Sequence, residues 1–218
     1  GRKTINTYLD KNSSDTLLKQ GLRNKFDFIT FNNVLANINN PIEALKTAKL
    51  MLKDEDSEIV IQTGYHPLQF SKGLFDYIYH EHYSYFTVKP LINYFEKHGL
   101  ELIDVSPNLT KGGSMRCCLQ KIGGKYSIDN SVNEYIELEN KFNLPSKKLF
   151  QDYSDKIKNH KENFVKLINK LSKEGNKIDG YGASATTTTL VHHYDLGNEL
   201  RYIYDDFKVK QGLYSPGH

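Results

Sequence analysis

Three segments decide the fold: Lys25–Asn33 (KFDFITFNN), Pro41–Lys53 (PIEALKTAKLMLK) and Ser57–Thr63 (SEIVIQT). The first and last are short runs rich in β-branched and aromatic residues, which predicts strands. The middle one carries apolar residues at 42, 45, 48, 51 and 52 with proline near its first turn, which is helical spacing. Strand, helix of about a dozen residues, strand is a βαβ unit and implies a parallel sheet. Upstream, Thr4–Gln20 reads as a weak helix. Downstream, Lys89–His98 is a helix stopped by Gly99, and Leu100–Val105 and Ser114–Gln120 are strands around Gly112–Gly113. The short link between them predicts an antiparallel hairpin that finishes the sheet.

The second half begins with helix. From Ile128 to Gly175 the chain is predicted helical, with Pro145–Ser146 opening the longer piece. Phe150, Tyr153, Ile157, His160, Phe164, Leu167 and Leu171 form a narrow apolar seam, suited to packing on a neighbouring helix or sheet. His160 on that seam reads as a structural histidine. Lys177–Tyr181 is a strand, Gly182 a tight turn, Ser184–His193 a helix and Leu200–Asp205 a strand, which makes a second βαβ fragment. The punctuated stretch Ile122–Asn130 divides the chain into residues 1–124 and 125–218. The expected class is therefore α/β, with two partial units.

Composition excludes several classes. The 218 residues are 38% apolar, low beside the usual ~45–50%. Yet 15 Tyr and 11 Phe supply large buried surfaces, so a core is feasible. No apolar run approaches the roughly 18–20 residues of a membrane span. A formal charge of +3, from 29 basic and 26 acidic residues, is too mild and too evenly spread for a nucleic-acid partner. Cys117 and Cys118 are adjacent, and on a strand they point to opposite faces, so no disulfide joins them. Reduced thiols and the lack of an opening signal segment fit a cytoplasmic protein.

Four clusters have chemical potential. Phe75–Phe86 (FDYIYHEHYSYF) gathers two His, one Glu, one Asp and four Tyr. A histidine beside carboxylate and phenol groups suits a general base, and a tyrosine-rich packing loop suits the same residues. His80 and His82 share a face if extended, but no third metal ligand follows, so no metal is expected. Gly180–Ala185 (GYGASA) matches G-x-G-x-x-A between a strand and a helix, a turn that brings a helix start to phosphate. Asp205 or Asp206 stands where an acidic ribose partner would sit. Asn32–Asn33 ends a parallel strand, where ligands of open α/β sheets bind. Lys111–Arg116 (KGGSMR) offers two glycines and a cation, equally suited to an anion or to a plain hairpin turn.

In order along the chain, NNVLANINNP, YHEHYSYF, GGSMR, GYGASATTTTL and YIYDDFKVKQGLYSPGH resemble the S-adenosylmethionine-dependent sugar C-methyltransferases. Described members of that family methylate carbon 3 of thymidine-diphosphate-linked 4-keto-deoxysugars. The resemblance implies the C-terminal half of a Rossmann-like methyltransferase sheet in residues 1–124 and a second Rossmann-like α/β domain in 125–218. It also implies that the family's N-terminal zinc module and the glycine-rich loop that contacts the cofactor lie outside this sequence. Carried over by motif, His82 is the base that removes the proton beside the keto group, with Tyr79 and Glu81 orienting it or stabilising the enolate. Asn33 is the cofactor-side residue. Gly112, Gly113, Ser114, Tyr181, Gly182, Ala183 and Ser184 are expected at the substrate. Asn37 replaces the family's histidine, and Thr186–Thr187 stand where members often carry Lys-Gly. The expected cofactor is S-adenosylmethionine and the expected partner a nucleotide sugar, with the chain a monomer or a homodimer through an open sheet edge. The competing expectation is a non-catalytic module that binds nucleotide or sugar-nucleotide, and a nicotinamide-dependent enzyme, resting on GYGASA alone, ranks behind both.

Overall fold

The computed structural model describes residues 4–217. They form two compact units: Gly1–Gln69 with Glu81–Leu144, and Phe70–His80 with Pro145–His218.

In the first unit, helix α1 spans Lys11–Leu17 and runs on as a π-helical turn over Leu18–Leu22, so it starts later than the predicted Thr4–Gln20 and reaches past its end. Asp10 sets its start: the carboxylate accepts from the Ser13 amide at 2.8 Å, and Ser13 Oγ accepts from the Asp10 amide at 3.1 Å. Then come β1 (Phe28–Asn32), α2 (Pro41–Met51) and β2 (Glu58–Gly64), close to their predicted bounds. A short helix α3 (His66–Lys72), absent from the sequence reading, follows β2 directly. Helix α4 (Val88–Glu96), strands β3 (Leu100–Asn108) and β4 (Ser114–Lys121), and helix α5 (Asn130–Lys141) complete the unit.

The sheet order is β1-β2-β4-β3. β1 and β2 are parallel, with Phe31 opposite Ile61, while β4 runs antiparallel to both β2 and β3. The expected α/β class and antiparallel finish are thus present, with β4 inserted between β2 and β3. Alternation along β2 buries Ile59, Ile61 and Thr63 on one face. Leu45 and Ala48 of α2, Leu91 and Phe95 of α4, and Val132 and Tyr135 of α5 cover that face. Cys117 points into this core and Cys118 away from it, as adjacent strand residues must.

The two units divide at residue 144, not at 124. Helix α5 belongs to the first unit because it is tied to β3. The Asp129 amide donates to Ile103 O at 2.8 Å, and Ser131 Oγ donates to Asp104 at 3.1 Å while accepting from the Val105 amide. The Gly-containing stretch at 122–130 is no free linker either. Buried Gln120 donates to Tyr126 O at 2.8 Å and accepts from the Tyr126 amide at 3.1 Å, so one side chain acts as a strand partner.

The second unit holds α6 (Lys147–Lys173), β5 (Ile178–Tyr181), α7 (Ala185–His193) and β6 (Leu200–Tyr204), with β5 and β6 parallel. The seam expected on α6 is only partly used. Ile168 is buried, but Phe150, Phe164 and Leu167 are exposed, and so is His160, which is therefore not a buried structural histidine. Near Phe70–His80, α6 is held by Phe70 against Tyr153 (4.8 Å between ring centroids) and by Tyr153 Oη donating to Leu74 O. Ile168 joins Val191 and Leu196 in a small core with Ile178, Leu200 and Ile203.

Candidate active site

The carboxyl ends of β1 and β2 collect the residues of interest in the first unit. Asn33, one residue past β1, has φ +53° and donates its amide to Gln62 O at 2.8 Å. Asparagine tolerates this left-handed conformation better than most residues. The turn after it receives the 81–87 loop: the Tyr83 amide donates to Ala36 O at 2.7 Å. This bond sets the segment that carries His82 beside the end of β1.

His82 is half-buried and Glu81 exposed. The His82 ring meets Tyr85 edge-on, with 6.2 Å between centroids and planes at 87°. Tyr85 also meets His66, at 4.8 Å and 66°. A cavity of about 340 Å³ opens beside this loop, lined by Ser84, Tyr85, Thr87, Pro90 and Tyr94 among others. That volume falls in the range of small-ligand sites. Tyr79 lies in the Phe70–His80 segment, half-buried and edge-on to His80, and so belongs to the second unit.

The Gly112–Ser114 turn borders the same edge of the sheet. Gly113 O accepts from the Tyr65 amide at 3.1 Å, immediately past β2. Gly113 sits at φ +143°, and a Cβ there would stand 3.0 Å from Cβ of Leu68. Glycine is needed at this point for conformation and for close approach. Ser114 is buried, with its hydroxyl donating to Thr110 O at 3.0 Å. Arg116 is exposed and donates to Gln62 Oε1 at 3.3 Å.

In the second unit the GYGASA turn spends its amides internally. Gly182 donates to Tyr204 O at 2.7 Å, Ala183 to Asp205 Oδ2 at 2.8 Å and Ser184 to Thr187 Oγ1 at 3.1 Å. Asp205 also accepts from the Phe207 amide, and Lys210 donates to Ala183 O. The amides of Phe207 and Ala183 hold the Asp205 carboxyl below its ordinary range. Asp205, one of the two residues expected as a ribose partner, closes this turn on itself. Tyr181 is 75% exposed and donates to Asp206 at 2.6 Å, which raises its phenol pKa.

Two buried polar residues were missed in the sequence, His66 beside the candidate site and Glu139 in the core. His66 is the first residue of α3, and the rule that singled out Asn33, position just past a parallel strand, would also have found it. Glu139 is the other: it lies on the buried face of α5 with Val132 and Tyr135, and its signal is a carboxylate at an apolar position.

Burial, with the His82 charge as second cause and Gln69 opposing, lowers the His66 pKa from 6.5 to about 4. The unfolded chain therefore takes up this proton near pH 6.5 and the folded chain only near 4. No penalty exists above pH 6.5, and one of roughly 3 kcal/mol builds as pH falls to 4. Urea unfolding at pH 7 and pH 4 is expected to show this loss, and His66→Phe to remove most of it. Equal pH slopes in the two proteins would contradict the assignment.

Among the described residues, no three His, Cys, Asp or Glu side chains converge as metal ligands. Among them, too, no helix is long and apolar enough to cross a membrane.

Residues 109–218 match the C-methyltransferase C-terminal domain family, and residues 5–105 match a methyltransferase domain family. The chain is 28% identical over 144 residues to the C-methyltransferase NovU of Streptomyces niveus, a match covering 66% of this chain and 34% of NovU. The chain thus spans about a third of the length of that relative. Among solved structures, magnesium protoporphyrin IX methyltransferase (ChlM) from Synechocystis PCC 6803 with bound SAH aligns over 44% of this chain and 45% of that one, at 12% identity and a TM-score of 0.33.

The family matches define the class: a methyltransferase domain followed by a C-methyltransferase C-terminal domain. The chain belongs to the C-methyltransferase family, whose C-terminal domain accounts for half of it.

Proposed function

We propose that this chain carries the deprotonating half of an S-adenosylmethionine-dependent C-methyltransferase acting on a nucleotide-linked keto-sugar. The observation that supports it most is His82, half-buried near the end of β1, with its ring edge-on to Tyr85, the residue through which it adjoins the cavity; His82 itself is not part of the cavity lining. A carbonyl acidifies the hydrogen on the neighbouring sugar carbon. His82 accepts that proton, and the electron pair left behind makes the carbon an enolate nucleophile. Glu81, its neighbour in the same unit, orients the base or stabilises the oxyanion.

S-adenosylmethionine, when bound, supplies an electrophilic methyl group on a sulfonium. The residues on the edge fit such a group in one respect: the Asn33 carboxamide spends no hydrogen bond within the described chain and stands past β1. Asn33 would hold the cofactor side of the site, and the enzyme would otherwise work by orienting carbon and methyl in line. In the first unit the Gly112–Ser114 turn borders the sugar; in the second unit, taken by itself, the Tyr181–Ser184 turn is the segment for a polar ligand group. The open edge of β1, with Phe28 exposed, suits a homodimer if the chain self-associates.

The test is transfer of labelled methyl from S-adenosylmethionine to a thymidine-diphosphate 4-keto-deoxysugar. It is run with this chain alone and with the chain joined to the preceding part of NovU. Methyl incorporated on a sugar carbon is the expected result. Binding of both ligands with no incorporation would instead establish a non-catalytic sugar-nucleotide module.

A further inference from the structure

His66 lies just past β2 and is 5% exposed. An imidazole buried there costs more than Leu or Phe of like volume, because its polar nitrogens leave water. The site that bears this cost is the neighbourhood of the proposed base. Tyr85 meets His66 at 4.8 Å and His82 at 6.2 Å, so one phenol ring touches both imidazoles. Among the groups facing His66 are Tyr85 and His82 from the 81–87 loop and Gln69 from its own helix.

We propose that His66 is a positioning residue for His82, fixing the Tyr85 ring edge-on and through it the orientation of the imidazole at position 82. The proposal deepens the assignment of His82 as base and rests on it. Edge-to-face contacts have a preferred geometry, so a ring held on one side by a buried partner has little freedom to turn. The 81–87 segment has no helix or strand of its own, and a histidine carried on it needs such a support to keep one orientation. Burial disfavours the charged form of His66.

The experiment is NMR of the imidazole Cε1–H groups in the whole chain, whose eight histidines are assigned by single substitution. Three proteins are compared: wild type, His66→Leu and His66→Phe. Leucine fills the space without a ring edge, and phenylalanine restores the edge without nitrogen. The expected result is a nuclear Overhauser cross-peak between His82 and Tyr85 in wild type, absent from His66→Leu and restored in His66→Phe. In wild type, His66 itself is expected to titrate near pH 4. A cross-peak that persists in the leucine variant, one that fails to return in the phenylalanine variant, or a His66 titration near 6.5 overturns the proposal. None of these readouts needs turnover, so they fail or succeed separately from the assignment of His82 as base.

Discussion

Replacing Glu139 with alanine is expected to lower the free energy of unfolding by about 3–5 kcal/mol, the largest stability effect of any single polar substitution proposed for this chain. Glu139 is 1% exposed on α5, yet its carboxylate accepts from the amides of Val88 at 2.5 Å and Lys89 at 3.0 Å. These are the first two amides of α4, which have no carbonyl partner within their own helix. The residue before them, Thr87, makes no side-chain cap. A carboxylate from another helix therefore does the capping, and its negative charge faces the positive end of the α4 dipole. Removing it leaves two amides without acceptors, one of them on fully buried Val88, and a cavity beside Tyr65 and Tyr135, whose rings meet edge-on at 5.0 Å. Burial, then the nearby Glu139 carboxylate, pushes the Tyr65 phenol well above its usual value. Glu139→Gln keeps one acceptor and places an NH2 group where a second is needed, so its cost is expected to lie between wild type and alanine. Urea unfolding of the three proteins checks the order. An alanine variant within about 0.5 kcal/mol of wild type would show that water reaches those amides and that the cap is dispensable.

The same residue shows where sequence reading stops. Glu139 meets Val88 across 51 positions, and nothing in either segment names the other. The βαβ unit was legible because its signals are local: alternation in SEIVIQT and helical spacing in PIEALKTAKLMLK each declare one face for burial. The hairpin was legible too, but not the entry of β4 between β2 and β3, since either strand of a hairpin can take the inner place. The inner strand here is the one whose Met115, Cys117 and Leu119 are all buried on a single face. The boundary at 122–130 misled because two glycines look like a linker when Gln120, whose side chain lies against Gly124 and bonds the Tyr126 backbone, is read only as a strand residue. On α6 the spacing was right in period but not in use: the helix has more apolar surface than its unit covers, which leaves Phe150, Phe164 and Leu167 exposed. Asn33 and His82 could be picked out because a strand end and a dense polar-aromatic cluster are visible in one dimension. His66 became significant only when Tyr85 was seen to join it to His82.

The second large effect concerns chemistry. His82→Asn is expected to lower methyl transfer about 10²–10⁴-fold in kcat, the range for loss of a positioned general base. Asparagine keeps part of the volume and a hydrogen-bonding end, so the loop seated on Ala36 through the Tyr83 amide should hold its place. What disappears is a ring nitrogen able to accept the proton. Sugar-nucleotide binding does not depend on that nitrogen, and KM is expected to change by no more than about threefold, the pattern of an interaction made only in the transition state. A partial reaction separates deprotonation from methyl transfer. In deuterated water without S-adenosylmethionine, the wild-type site should exchange the hydrogen beside the keto group for deuterium, and His82→Asn should not. Loss of methyl transfer with exchange intact would assign His82 to orienting the enolate and give the base to another group of the loop, Glu81. Exchange and transfer both intact would remove His82 from the chemistry, and with it the reason for placing the reaction at this edge of the sheet.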